Sequence, residues 1–164
     1  MNALRMLGLV AAALVLQTTL ARFLVRGSIG VDLVLVAVVF LSLRAGPTAG
    51  IVSGTVAGLA QDALTTGIVG LGGLGKSVVG YLAGTVGRAF IVAQPLPRFL
   101  VFFAATLVEM AIITLFHLVL DSGPHAVPAG AIVAQAFGNS LVGVVLFQVV
   151  ESVPRALERR RAGR

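Results

Sequence analysis

Long apolar runs dominate this chain, and they decide which solvent it can fold in. Six of them, at residues 4–24, 29–43, 47–64, 76–92, 97–120 and 129–150, each contain two charged residues at most. Crossing the hydrocarbon core of a bilayer takes about 20 apolar residues in a helix, fewer where the membrane thins. Over all 164 residues, 58% of side chains are hydrophobic and 11% charged, against roughly 25% charged in an ordinary soluble domain. There are too few polar groups to cover an exterior in water. A helix satisfies its own backbone hydrogen bonds in lipid. The expected fold is therefore an all-α integral membrane protein with about six transmembrane helices in a domain spanning residues 1–152. The second run is only 15 residues long. It is expected either to tilt across a locally thin membrane or to form half of a hairpin with the third.

The connections fit this partition. Arg44-Ala45-Gly46-Pro47 is a tight break, because proline suits the first turn of the helix that follows. Gln94-Pro95-Leu96-Pro97-Arg98 and Asp121-Ser122-Gly123-Pro124-His125 are two more. Residues 65–75, TTGIVGLGGLG, are uncharged and glycine-rich. They read as an irregular loop packed on the bundle, since bare backbone at membrane depth needs protein or a wet cavity around it. Residues 153–164 form a basic tail in which Arg155, Arg159, Arg160, Arg161 and Arg164 outweigh Glu158. A cytoplasmic N-terminus places Arg5, Arg44, Arg88, Arg98 and the five tail arginines inside, nine of the twelve basic residues. Arg22 and Arg26 then fall outside. The expected location is a membrane crossed several times, with both termini in the cytoplasm. The net charge of +6 points to anionic membrane lipids rather than nucleic acid.

Several chemistries find no support. Without cysteine there is no disulfide, thiolate metal site or thiol nucleophile. Arg5 and the apolar run after it resemble a signal peptide, but no small-x-small cleavage site is well placed, so an uncleaved first helix is expected. No G-x-S-x-G occurs. Gly70-Leu71-Gly72-Gly73-Leu74-Gly75-Lys76-Ser77 satisfies the phosphate-loop spacing, yet no strand precedes it and no acidic second motif follows. His117 and His125, with Asp121 between them, match no established zinc spacing. The expectation is a protein with no catalytic group, cofactor or metal.

Two features carry information about contacts. Gly46, Gly50, Gly54 and Gly58 recur every four residues and so form one smooth face of the third helix. Gly80 and Gly84 repeat the spacing in the fourth, as do Gly130, Ala134 and Gly138 in the sixth. Such faces let helices approach closely enough for dispersion and weak hydrogen bonds to hold them in lipid. They suit packing within one bundle or the docking of a foreign helix. The second feature is charge at membrane depth, which costs about 2.5–3.5 kcal/mol per group at a helix centre on insertion scales. Asp32 opens the second run, Asp62 closes the third, Lys76 opens the fourth, and Glu109 stands in the middle of the fifth. The signs allow Asp62 or Glu109 to neutralise Lys76. Glu109 reads as nearly alone at the midplane, flanked by Thr106 and Thr114, which suits a structural or partner-binding role better than an ion pathway.

In these same residues the chain resembles the MreD family of bacterial rod-shape-determining membrane proteins. Leu16-Gln17-Thr18-Thr19-Leu20 resembles that family's first-helix ending. Asp32-Leu33-Val34-Leu35 followed by Arg44-Ala45-Gly46-Pro47-Thr48-Ala49-Gly50 resembles its second and third helices, with Val31 where the family commonly has proline. Gly58-Leu59-Ala60-Gln61-Asp62, Gly67-Ile68-Val69-Gly70-Leu71 and Lys76-Ser77-Val78-Val79-Gly80-Tyr81-Leu82-Ala83-Gly84 are similar to further family elements. The resemblance implies a non-catalytic subunit of the cell-elongation machinery, located in the bacterial cytoplasmic membrane. It implies association with MreC and, through it, with a RodA-type glycosyltransferase, a class B penicillin-binding protein and the MreB filament. It also implies a fold similar to the substrate-binding subunits of energy-coupling-factor vitamin transporters, which makes a vitamin-binding subunit the main rival reading and an ion-coupled carrier a lesser one. The residues expected to carry partner contacts or packing are Gly46, Gly50, Gly54, Gly58, Asp62, Lys76, Gly80, Tyr81, Gly84 and Glu109.

Overall fold

The computed structural model describes the backbone of residues 3–23, 30–65, 69–89, 94–120 and 127–162, and side chains within 8–19, 30–65, 69–89, 94–120 and 127–152. The described residues form six α-helices: α1 Ala3–Phe23, α2 Leu33–Ala45, α3 Pro47–Ala63, α4 Leu71–Ala89, α5 Pro95–Val119 and α6 Ala129–Ala162. Two segments, Pro95–Val119 and Ala129–Ser152, are each long and apolar enough to cross a membrane.

The short second helix is the centre of the fold. It has 13 residues, about 20 Å at 1.5 Å per residue, well short of a bilayer core of about 30 Å. Every residue from Val34 to Ser42 is buried, and α2 packs against each of the other five helices. A helix apolar on all sides needs apolar surroundings on all sides. Here protein supplies them, so α2 never has to match the thickness of the lipid. Phe40 at its middle meets Phe147 of α6 at 4.6 Å between ring centroids, and Phe147 in turn meets Phe102 of α5.

α3 and α4 form the closest pair. A Cβ on Gly50 would fall on the carbonyl of Gly80, and one on Gly54 on the carbonyl of Lys76. A Cβ on Gly58 would lie 2.5 Å from the carbonyl oxygen of Gly72, and one on Gly84 would strike the Gly46–Pro47 backbone. The two glycine faces are therefore in backbone contact along their length, and α4 occupies the face of α3. Gly46, at φ +90°, makes the break between α2 and α3, and a side chain there would meet the guanidinium of Arg88.

Several boundaries differ from expectation; α5, for one, starts at Pro95, inside the stretch read as a break. Leu71–Gly75 is the first turn of α4 rather than part of an irregular loop; α3, packed against it, outweighs the poor helix propensity of its glycines. α2 starts at Leu33 rather than at residue 29, because Asp32 caps it. Helical backbone continues in α6 to Ala162, so residues 153–162 of the basic tail extend the last helix. Its 34 residues measure about 51 Å, longer than a bilayer core.

Candidate functional site: a buried charge cluster

Asp32 is fixed by its role as N-cap. Its Oδ1 accepts from the amide of Leu35 at 2.9 Å, which is why α2 begins where it does. Its Oδ2 accepts from Lys76 Nζ at 2.8 Å, and the same ammonium donates to Glu109 Oε1 at 2.5 Å. One lysine thus joins carboxylates from α2 and α5 to α4. Glu109 has no solvent exposure at all, and Lys76 and Asp32 are buried with it. Charged groups at such depth are tolerated only when paired and hydrogen-bonded.

Neutral polar groups complete the site. The backbone N–H of Asp32 donates to Asn139 Oδ1 at 2.8 Å. Asn139 Nδ2 donates to Thr106 Oγ1 at 3.0 Å, and Thr106 donates to the Phe102 carbonyl at 3.0 Å. From α1, Gln17 Oε1 accepts from the amide of Leu33 at 2.9 Å. Side chains from α1, α4, α5 and α6 therefore converge on the start of α2, a helix end whose amides have no intrahelical partner.

Glu109 is accordingly not isolated, as its sequence neighbourhood suggests; its partners come from other helices. Asp62 does not serve Lys76. Its Oδ2 accepts from the amides of Gly70, Gly72 and Gly73 at 2.8, 3.0 and 3.3 Å, placing a negative charge on the positive end of α4. Gly46, Gly50, Gly54, Gly58, Gly80 and Gly84 all lie in the α2–α3 break or the α3–α4 contact. Tyr81, on α4, is about half exposed. His117 Nδ1 lies 2.8 Å from the Ile113 carbonyl; His125, Asp121, Arg22 and Arg26 lie outside the described side chains.

Reading residues along the chain overlooks two polar arrangements. Gln17 and Asn139 are amides in otherwise apolar helices, and that is the signal that marks them. Arg98 is buried, with its guanidinium 4.4 Å from the Phe147 ring centroid. It donates from both terminal nitrogens to Glu151, at 3.1 and 2.6 Å. The planar fork suits a carboxylate and an aromatic face together.

A sequence profile described as rod shape-determining protein MreD matches residues 1–152, all of the chain but the basic tail. The chain belongs to the MreD family. No curated protein and no solved structure matches it. Membership carries a role in the complex that determines rod shape, in a family of membrane proteins that work without catalysing a reaction. In this MreD chain the lysine, carboxylates and amides of the cluster are engaged with one another. Among the described residues of this MreD chain, one groove lies between α4 and α5. It has a volume of about 270 Å³ and is walled by aliphatic residues including Val79, Leu82, Val86, Leu100 and Val108. A hydrophilic vitamin needs polar groups at its site, and this lining has none.

Proposed function

We propose that this chain is a non-catalytic scaffold of the rod complex, which crosses the membrane six times and holds the transmembrane segment of MreC by shape. In this reading residues 1–152 are the membrane domain, both termini are cytoplasmic, and residues 153–164 lie against anionic lipid. The likeness to energy-coupling-factor binding subunits is then one of helix count and arrangement, not of ligand. Contacts with a RodA-type synthase, a class B penicillin-binding protein and MreB run through MreC.

The observation that carries this reading is how the bundle distributes its contacts. The glycine face of α3 is filled by α4 and the charges are paired in the interior, so neither is free for a partner. The apolar groove between α4 and α5 is unfilled, and Leu82 and Leu100 beside it are exposed. Side chains of an entering helix would gain dispersion contacts there that lipid chains, which must order to fill it, supply less well. Photo-crosslinkers at Leu82, Leu100 and Val108 should capture MreC in living cells, whereas Val52, exposed on α3 and not part of the groove lining, should not. Capture from Val52 alone would move the partner elsewhere, and capture from none of these positions would reject the groove.

A further inference from the structure

The cluster around Lys76 does not balance. Two carboxylates, Asp32 and Glu109, meet one ammonium. Among the described residues, the other groups joined to it are neutral: Gln17 from α1, Thr106 from α5 and Asn139 from α6. The acidic residue at the end of α3, Asp62, is also negative and is engaged with the amides of α4. Fully ionised, the site would hold one uncompensated negative charge where Glu109 has no exposure. The oxygens tell the same story. Glu109 Oε1 receives Lys76, but Oε2 is buried with no donor at all. An ionised carboxylate is an acceptor on both oxygens, and burying one unpaired is far costlier than burying a neutral acid.

We propose that the Asp32–Lys76–Glu109 cluster is a proton-binding site that holds one exchangeable proton on Glu109 Oε2. The proton comes from water as the bundle closes and returns to water when it opens. Lys76 and Asp32 remain a charged pair, and Glu109 accepts from Lys76 through Oε1 as a neutral acid. The site is then electrically neutral. Removal of the proton at alkaline pH restores the excess charge and loosens the hold of α5 on α2 and α4. The proposal is independent of which partner the bundle holds, and it stands or falls without MreC.

Infrared spectroscopy of the full-length protein in lipid nanodiscs tests it directly. At neutral pH the wild type should show the carbonyl band of a protonated carboxylic acid, with the small downshift expected in heavy water. That band should vanish in Glu109→Gln, should shift on carbon-13 labelling of glutamate but not of aspartate, and should fade in Asp32→Asn, where Glu109 is left as the one carboxylate opposite Lys76 and ionises. Thermal stability of the wild type should fall as pH is raised into the alkaline range, while Glu109→Gln, which mimics the neutral acid, should show at most half of that fall. Absence of the band from the wild type overturns the proposal whether or not either variant folds. So does a band that survives Glu109→Gln, or one lost only in Asp32→Asn.

Discussion

Replacing Lys76 with methionine keeps most of the length of the side chain and removes its charge and its donors. Two charge-assisted hydrogen bonds disappear, to Asp32 and to Glu109. Asp32 is left as a buried carboxylate whose Oδ2 has lost its partner, although Oδ1 still caps α2. Removing one member of a buried ion pair costs about 3–5 kcal/mol, because the remaining charge is stranded. That is a large share of the roughly 5–15 kcal/mol that holds an ordinary domain folded. The assay is unfolding in mixed micelles by added sodium dodecyl sulfate, followed by helical circular dichroism. Lys76→Met should lose about 3–5 kcal/mol and lower the transition accordingly. The double variant Lys76→Met with Asp32→Asn removes both opposed charges, and asparagine still caps a helix. It should recover most of the loss, since a buried pair removed whole is often close to neutral. A single variant that costs less than about 1 kcal/mol, the scale of an exposed pair, would refute the reasoning. A double variant no more stable than the single would refute it equally.

Gly54→Leu should force α3 away from the Lys76 carbonyl of α4 and destabilise the bundle by at least the 1–3 kcal/mol typical of overpacking. A variant with an unchanged melting temperature that still supports rod shape would show that this contact tolerates separation. Replacing Arg159, Arg160 and Arg161 with glutamine should weaken attraction to anionic lipid by about 1 kcal/mol per arginine. The check is flotation with phosphatidylglycerol liposomes of the soluble tail peptide, residues 151–164, at low salt; unchanged flotation would count against lipid contact.

Hydropathy made the helices legible, and the four-residue glycine spacing marked the face of α3. What covers that face was less accessible, because small-residue faces serve internal and external contacts alike. Only the complementary positions Gly72, Gly80 and Gly84 of α4, brought opposite Gly58, Gly50 and Pro47 by folding, decide the matter. The place of α2 was hidden for a related reason. A helix that is apolar all round has no polar stripe to show whether lipid or protein lies outside it. At Glu109 the signs of the charges pointed to Lys76, but the third member, Asp32, came from 44 residues upstream of the lysine. Asn139, which ties the start of α2 to α5, lies 107 residues from Asp32. Side-chain pairs this far apart leave no periodic trace. The glycines of residues 70–75 misled in the opposite direction: local propensity favoured irregular backbone, and the tertiary contact with α3 overruled it.

Because all five other helices touch α2, its surroundings are complete only when the last of them has emerged from the ribosome. During synthesis the segment must wait in the translocation machinery or in lipid, too short to span comfortably and with the acid of Asp32 lacking its lysine. The seat of the second helix to be made is thus completed only by the last, α6.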